Sequence, residues 1–162
     1  MKYTPYSDTK IIKIIVLLLS LCSLILIGFS LVLSNVSSLV MKTLAAIPFS
    51  AAIFTAGRFG ICSYTYILDD FEFIVIQSFG KKTSTVCRLY YTDIAEVISF
   101  DEAKNKLKGR NRYNYRVKIL PHNSYCLFYE LGSENGVVIF EPDENFVNVL
   151  KKYIKNDILN DQ

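Results

Sequence analysis

The chain predicts a membrane helical hairpin followed by a seven-stranded β-rich domain that ends in one capping helix. Three observations carry this. Residues 14–33 (IIVLLLSLCSLILIGFSLVL) are 20 positions without a charge or a proline. A second apolar segment follows at once, from about 39 to 57. Beyond Arg58 the apolar residues change to short, strand-like runs until a last stripe of helical spacing at 146–154.

The first segment sets the frame. A helix rises about 1.5 Å per residue, so 20 residues cover about 30 Å, the thickness of a bilayer's hydrocarbon core. A signal peptide is the rival explanation, with Lys2, Lys10 and Lys13 as its basic region. Its apolar core would be shorter, roughly 7–15 residues, and a second apolar segment would not be expected directly behind it. The reading is therefore a tail at 1–10, a two-helix hairpin at 11–57 with spans at about 11–33 and 39–57, a β-rich domain at 61–155, and a C-terminal tail at 156–162.

Residues 34–38 are short and polar, as a hairpin turn requires. Pro48 kinks the second span, which membrane helices tolerate, and Lys42 can snorkel to the nearer surface. Ala46 and Ser50, then Ala52 and Ala56, are four apart, and Gly28 and Ser20 offer a similar small-residue face on the first span. Such spacing lets helix backbones approach closely, within the hairpin or between copies. Lys10, Lys13 and Arg58 flank the outer ends, so both termini are expected to be cytoplasmic.

Strands are expected at 61–68, 71–79, 84–90, 93–100, 113–119, 125–131 and 137–140. The breaks are Asp69-Asp70, Gly80-Lys81-Lys82, the polar stretch 101–112, Pro121-His122-Asn123-Ser124 and Gly132–Gly136. In the final helix, Pro142-Asp143-Glu144 supplies a cap and an acidic first turn. Phe146, Val149, Leu150, Tyr153 and Ile154 form its apolar stripe, with Lys151, Lys152 and Lys155 in its final turns.

Charge is divided unevenly. Residues 1–60 carry a net +4 and residues 61–162 a net −1. A nearly neutral domain argues against nucleic-acid binding, which needs a clearly basic surface. Cys22, Cys62, Cys87 and Cys126 show no CxxC spacing, and His122 is the lone histidine, so no disulfide framework, metal site or cofactor is expected. His122 reads as a turn residue rather than a catalytic base. The acid pairs Asp69-Asp70, Asp101-Glu102 and Asp143-Glu144 read as turns and a cap. There is no glycine-rich phosphate loop, and no enzymatic activity is expected.

One stretch stands out. Lys104, Lys106, Lys108, Arg110, Arg112, Arg116 and Lys118 place seven positive charges in fifteen residues, with no acid among them and Tyr113 and Tyr115 interleaved. Beside an anionic leaflet each such residue gains on the order of 1 kcal/mol. The stretch is either a contact for acidic headgroups or an acidic partner, or a solvated loop balanced by acids elsewhere.

Seven short strands and a C-terminal amphipathic helix follow the element order of a pleckstrin-homology-like (PH-like) domain, a bent sandwich or barrel capped by its helix. Tyr66–Phe73 with Leu68-Asp69-Asp70, Gly80, and Tyr91–Val97 with Asp93-Ile94 resemble the bacterial PH-like domains that follow a pair of transmembrane helices. The resemblance covers about 61–155 and ends in a phenylalanine-led helix, Phe146–Ile154. It implies an integral membrane protein of the interaction kind, working through an unidentified protein partner, the membrane surface or further copies of itself. It also leaves open bacteriocin self-immunity, known for some related domains. An accessory subunit of a transporter is a further alternative. Inositide binding is not carried over, because acidic Asp69-Asp70 occupies the hairpin where basic residues would hold phosphate.

Overall fold

The computed structural model describes residues 1–6, 9–33, 35–118 and 123–160, without the side chains of 35, 36 and 157–160. The chain divides into two compact units. Residues 7–62 form one; residues 1–6 together with 63–162 form the other.

The first unit holds α1 (Thr9–Val32) and α2 (Asn35–Thr55), followed by a π-helical turn over Ala56–Ile61. With that turn included, both helices are long and apolar enough to cross a membrane, and only 11% of either apolar window is buried. What is buried follows a seam. On α1 the less exposed positions include Ile12, Val16, Leu19, Ser23, Leu26 and Ser30; on α2 they include Ser38, Met41, Ala45, Pro48, Ala52 and Thr55. Both sets alternate steps of three and four, the spacing of helices packed side by side at a shallow angle. Ser23 and Ser30 are buried, and the Ser23 hydroxyl donates to the Ala45 carbonyl of α2 at 3.0 Å. The small-residue face is thus only partly the one expected, with Ser20 and Ala56 less exposed as anticipated. Ala52 belongs to it, but Ala46, Ser50 and Gly28 are exposed, and the Ser50 hydroxyl turns back to the Ala46 carbonyl.

Among its described residues the second unit has eight strands in two four-stranded sheets and two α-helices, α3 (Phe100–Ala103) and α4 (Glu144–Asn160). The first sheet runs in the order β1-β2-β3-β4, from β1 (Lys2–Tyr3), β2 (Cys62–Leu68), β3 (Glu72–Phe79) and β4 (Lys82–Tyr90). The second runs β5-β7-β8-β6, from β5 (Ile94–Ser99), β6 (Asn111–Asn114), β7 (Tyr125–Leu131) and β8 (Glu134–Phe140). The sheets are not closed into a barrel.

Alternation on β2 turns Tyr64, Tyr66 and Leu68 inward, and β3 adds Phe73 and Val75. By contrast, Cys126–Tyr129 of β7 and Val137–Phe140 of β8 are buried in unbroken runs, because both faces of that sheet are covered. The shared core is aromatic. Tyr66 and Phe73 each stand 5.4 Å from Phe140, and Phe146 of α4 packs at 6.2 Å and 6.4 Å from the same two rings.

Three expectations are corrected. Residues 1–3 are not a loose tail: Tyr3 pairs with Tyr66 in an antiparallel ladder, and its ring stacks on Tyr66 at 6.3 Å. A single exposed edge on β2 and an aromatic pair are enough to dock so short a strand. The expected strand at 113–119 is instead the short β6, parallel to β8 and exposed along its length. Its apparent alternation fails because the chain leaves the sheet after Tyr115, whose amide still bonds the Ile139 carbonyl at 2.9 Å; Ile119 lies outside the described residues. Finally, α4 continues to Asn160, so Lys151, Lys152 and Lys155 lie inside the helix rather than in its last turn. Its start is as expected: the Asp143 carboxylate accepts from the Phe146 amide at 2.7 Å. The expected turn at His122 lies outside the described residues.

The two short motifs behind the family resemblance meet in space. Tyr91 donates its amide to the Phe71 carbonyl and its hydroxyl to the Asp69 carbonyl at 2.7 Å, so it locks the β2–β3 turn. Its ring lies parallel to Tyr153 of α4 at 5.2 Å. Leu68-Asp69-Asp70 and Tyr91–Ile94 are therefore framework.

Candidate interaction site

The basic stretch begins on a short anchored turn. Ser99 caps α3 in a reciprocal box: its hydroxyl accepts from the Glu102 amide, and its own amide donates to the Glu102 carboxylate at 3.1 Å. Those bonds from Ser99 hold the Glu102 carboxyl below its ordinary pKa. Ala103 and Leu107, four apart, then reach down onto Cys126, Phe128, Val137 and Ile139. The stretch is thus a lid over one face of the second sheet, pinned by two apolar side chains, with Lys104, Lys106, Lys108 and Arg112 left outside.

The structure does not bring the seven basic residues into one patch. Lys104 pairs with Asp101 at 2.7 Å, and Lys106 grips both oxygens of Glu96 at 2.7 and 2.8 Å. Arg112 donates from two nitrogens to the Leu107 carbonyl, at 3.0 and 3.3 Å. Arg110 covers the Phe128 ring at 5.1 Å, and Arg116 covers Phe100 at 5.2 Å. Lys118 is half-buried and lines a cavity elsewhere. Lys104, Lys106 and Lys108 remain exposed on a loop whose Gly109 adopts φ +76°, and Arg112 remains exposed on β6. Glu96, Asp101 and Glu102 offset part of their charge. Pairs this exposed add little stability, so they do not lock the lysines in place.

A second constellation could not be foreseen. Glu141 follows β8 and is only 5% exposed, yet it carries a carboxylate. One oxygen, Oε2, accepts the backbone amides of Val117 and Lys118 at 3.0 and 3.1 Å. The Glu141 amide donates to the Tyr66 hydroxyl at 3.2 Å, and that hydroxyl donates to the Tyr115 carbonyl at 2.8 Å. The Tyr115 hydroxyl in turn donates to the Val86 carbonyl on β4 at 3.0 Å. This chain of bonds ties the first sheet to the segment leaving β6. Glu141 also borders a cavity of about 280 Å³ with Tyr3, Lys118, Asn123, Asp143 and Glu144.

Burial pushes Tyr66 and Tyr115 above the ordinary phenol range, Tyr129 to about 12, and the Cys87 and Cys126 thiols each to about 11. Every one of these groups therefore stays protonated at neutral pH, a state that suits hydrogen-bonded framework rather than proton transfer. Among the described residues no cluster of three His, Cys, Asp or Glu side chains could hold a metal ion.

No family model, curated protein or solved structure matches this chain.

Proposed function

We propose that the protein is a non-enzymatic membrane-anchored domain that holds an interaction surface at the inner face of a bilayer. In this reading α1 and α2 are a two-span hairpin and the two-sheet unit is a variant of the PH-like fold. The observation that carries it is that one folded unit contains both residues 1–6 and residues 63–162. A chain that leaves a folded unit and returns to it must cross a bilayer an even number of times. Two apolar helices are what lies between. Both flanks of the hairpin are then on the side of the domain, and Lys10, Lys13 and Arg58 make that side the cytoplasm.

The surface presented is the lid, through Lys104, Lys108 and Arg112, and its partner is the anionic headgroup layer to which the domain is tethered. Tethering raises the local concentration of headgroups around the loop without any new contact. Hydrogen exchange of the full chain in nanodiscs tests this. Residues 104–112 should be better protected with phosphatidylglycerol than with phosphatidylcholine, and the K104Q/K108Q/R112Q variant should erase the difference. Equal protection in both lipids would sink the headgroup contact.

A further inference from the structure

The seam between the two helices is not filled along its whole length. Near the Ser23–Ala45 contact it is closed. Towards the basic end of α1, α2 gives way to the π-helical turn, and Ala56 and Gly60 are the residues facing Ile12, Val16 and Ser20. A π-turn widens the backbone, and π-turns recur at functional positions in helices. Small residues on one side and a widened turn leave an open groove of about 370 Å³. At about 30 Å³ for each water- or methylene-sized group, it has room for roughly a dozen. From Ile12 to Ser20 it runs about 12 Å along the helix.

Its lining is apolar even where a hydroxyl occurs, because Ser20 donates to the Val16 carbonyl at 2.6 Å. At its mouth stands Lys13, exposed, with Lys10 one turn before it on the same helix. Residues 9–62 contain no acid, and the one acid of the first unit, Asp8, lies in the sequence before Lys10 and outside the described residues.

We infer that this groove is a binding site for one anionic phospholipid, with an acyl chain between α1 and the π-turn and the headgroup phosphate on Lys13. The inference rests on the membrane reading of the hairpin. An apolar slot opening from such a segment meets acyl chains, and a cation at its polar end selects the negative headgroup. A second helix is a poorer occupant, since the slot ends after two turns where the seam closes.

The test uses the full chain released from nanodiscs of equal phosphatidylglycerol and phosphatidylcholine, observed by native mass spectrometry. One retained phosphatidylglycerol per chain is expected. Lys13→Gln should lower the preference for phosphatidylglycerol about fivefold, the weight of one cation near an anionic headgroup. Lys13→Arg should keep it. Ala56→Leu fills the groove and should remove bound lipid of both kinds. No preference in the parent chain, an unchanged preference in Lys13→Gln, retention in Ala56→Leu, or a lipid-free dimer would each overturn the site. Alkaline extraction of native membranes separates the two levels. Release of the protein would refute the membrane reading itself, whereas firm retention without lipid preference refutes the groove alone.

Discussion

Tyr66→Phe removes one oxygen from the middle of the second unit and leaves the ring where it packs. The Tyr66 hydroxyl donates to the Tyr115 carbonyl at 2.8 Å and accepts from the Glu141 amide at 3.2 Å, at a residue with no exposed surface. Without it, one part-buried carbonyl and one buried amide lose their partner. Each such orphan costs about 1–3 kcal/mol, so the variant should lose about 3 kcal/mol. For a domain of about 100 residues, 1 kcal/mol shifts the melting temperature by about 4–8 °C. A drop on the order of 15 °C follows, read from the aromatic circular dichroism of the full chain in detergent micelles. Tyr91→Phe is the comparison. Its hydroxyl bonds the carbonyl of exposed Asp69, which water can serve instead, so that variant should lose only about 1 kcal/mol. If Tyr66→Phe melts within about 3 °C of the parent, or no lower than Tyr91→Phe, the polar tie between sheet and loop is not what the geometry implies.

Three further outcomes are expected. A Cβ on Gly136 would stand 2.3 Å from the ring of Tyr129, its cross-strand partner, so Gly136→Ala should cost about 1–3 kcal/mol, and Tyr129→Ala in the same chain should recover part of the loss in a melting experiment. Leu107→Ala should unpin the lid at a cost of about 2–3 kcal/mol, seen as faster tryptic cleavage between 104 and 112. The Cys87 and Cys126 thiols, with an ordinary pKa of 9.0, titrate near 11 in the fold, so the unfolded chain releases those protons first. Stability is then full below pH 9 and falls as pH rises towards 11; a melting temperature unchanged across that window would contradict the burial of both thiols.

Much of the architecture was legible because it follows period and punctuation. The helix pair, most of the strands and the Asp143 cap all come from local pattern. What was hidden depends on contacts between distant residues. Nothing in Met1-Lys2-Tyr3 reads as a strand until Tyr66 is beside it. Nothing in the run Glu-Pro at 141–142 says that the carboxylate is buried, because its reason is two amides more than twenty residues away. The basic run 104–118 was visible as charge, but its shape was not. Leu107 and Ala103 decide which side faces out, and the aromatic rings of Phe128 and Phe100 take Arg110 and Arg116 out of the patch. In the hairpin the small residues were recognised, but the step of three and four that selects Ser23, Ser30, Ala45 and Ala52 appears only once both helices are placed.

Residues before the helix pair and residues after it belong to the same folded unit. Thr4, just after β1, and Thr65 of β2 carry hydroxyl oxygens 3.0 Å apart. In a chain whose four native cysteines are replaced by alanine, Thr4→Cys with Thr65→Cys should form a disulfide under mild oxidation in intact native membranes. Both positions, when reduced, should be labelled from the cytoplasmic side only. Failure to cross-link, or labelling of the two cysteines from opposite faces of the membrane, would contradict the account.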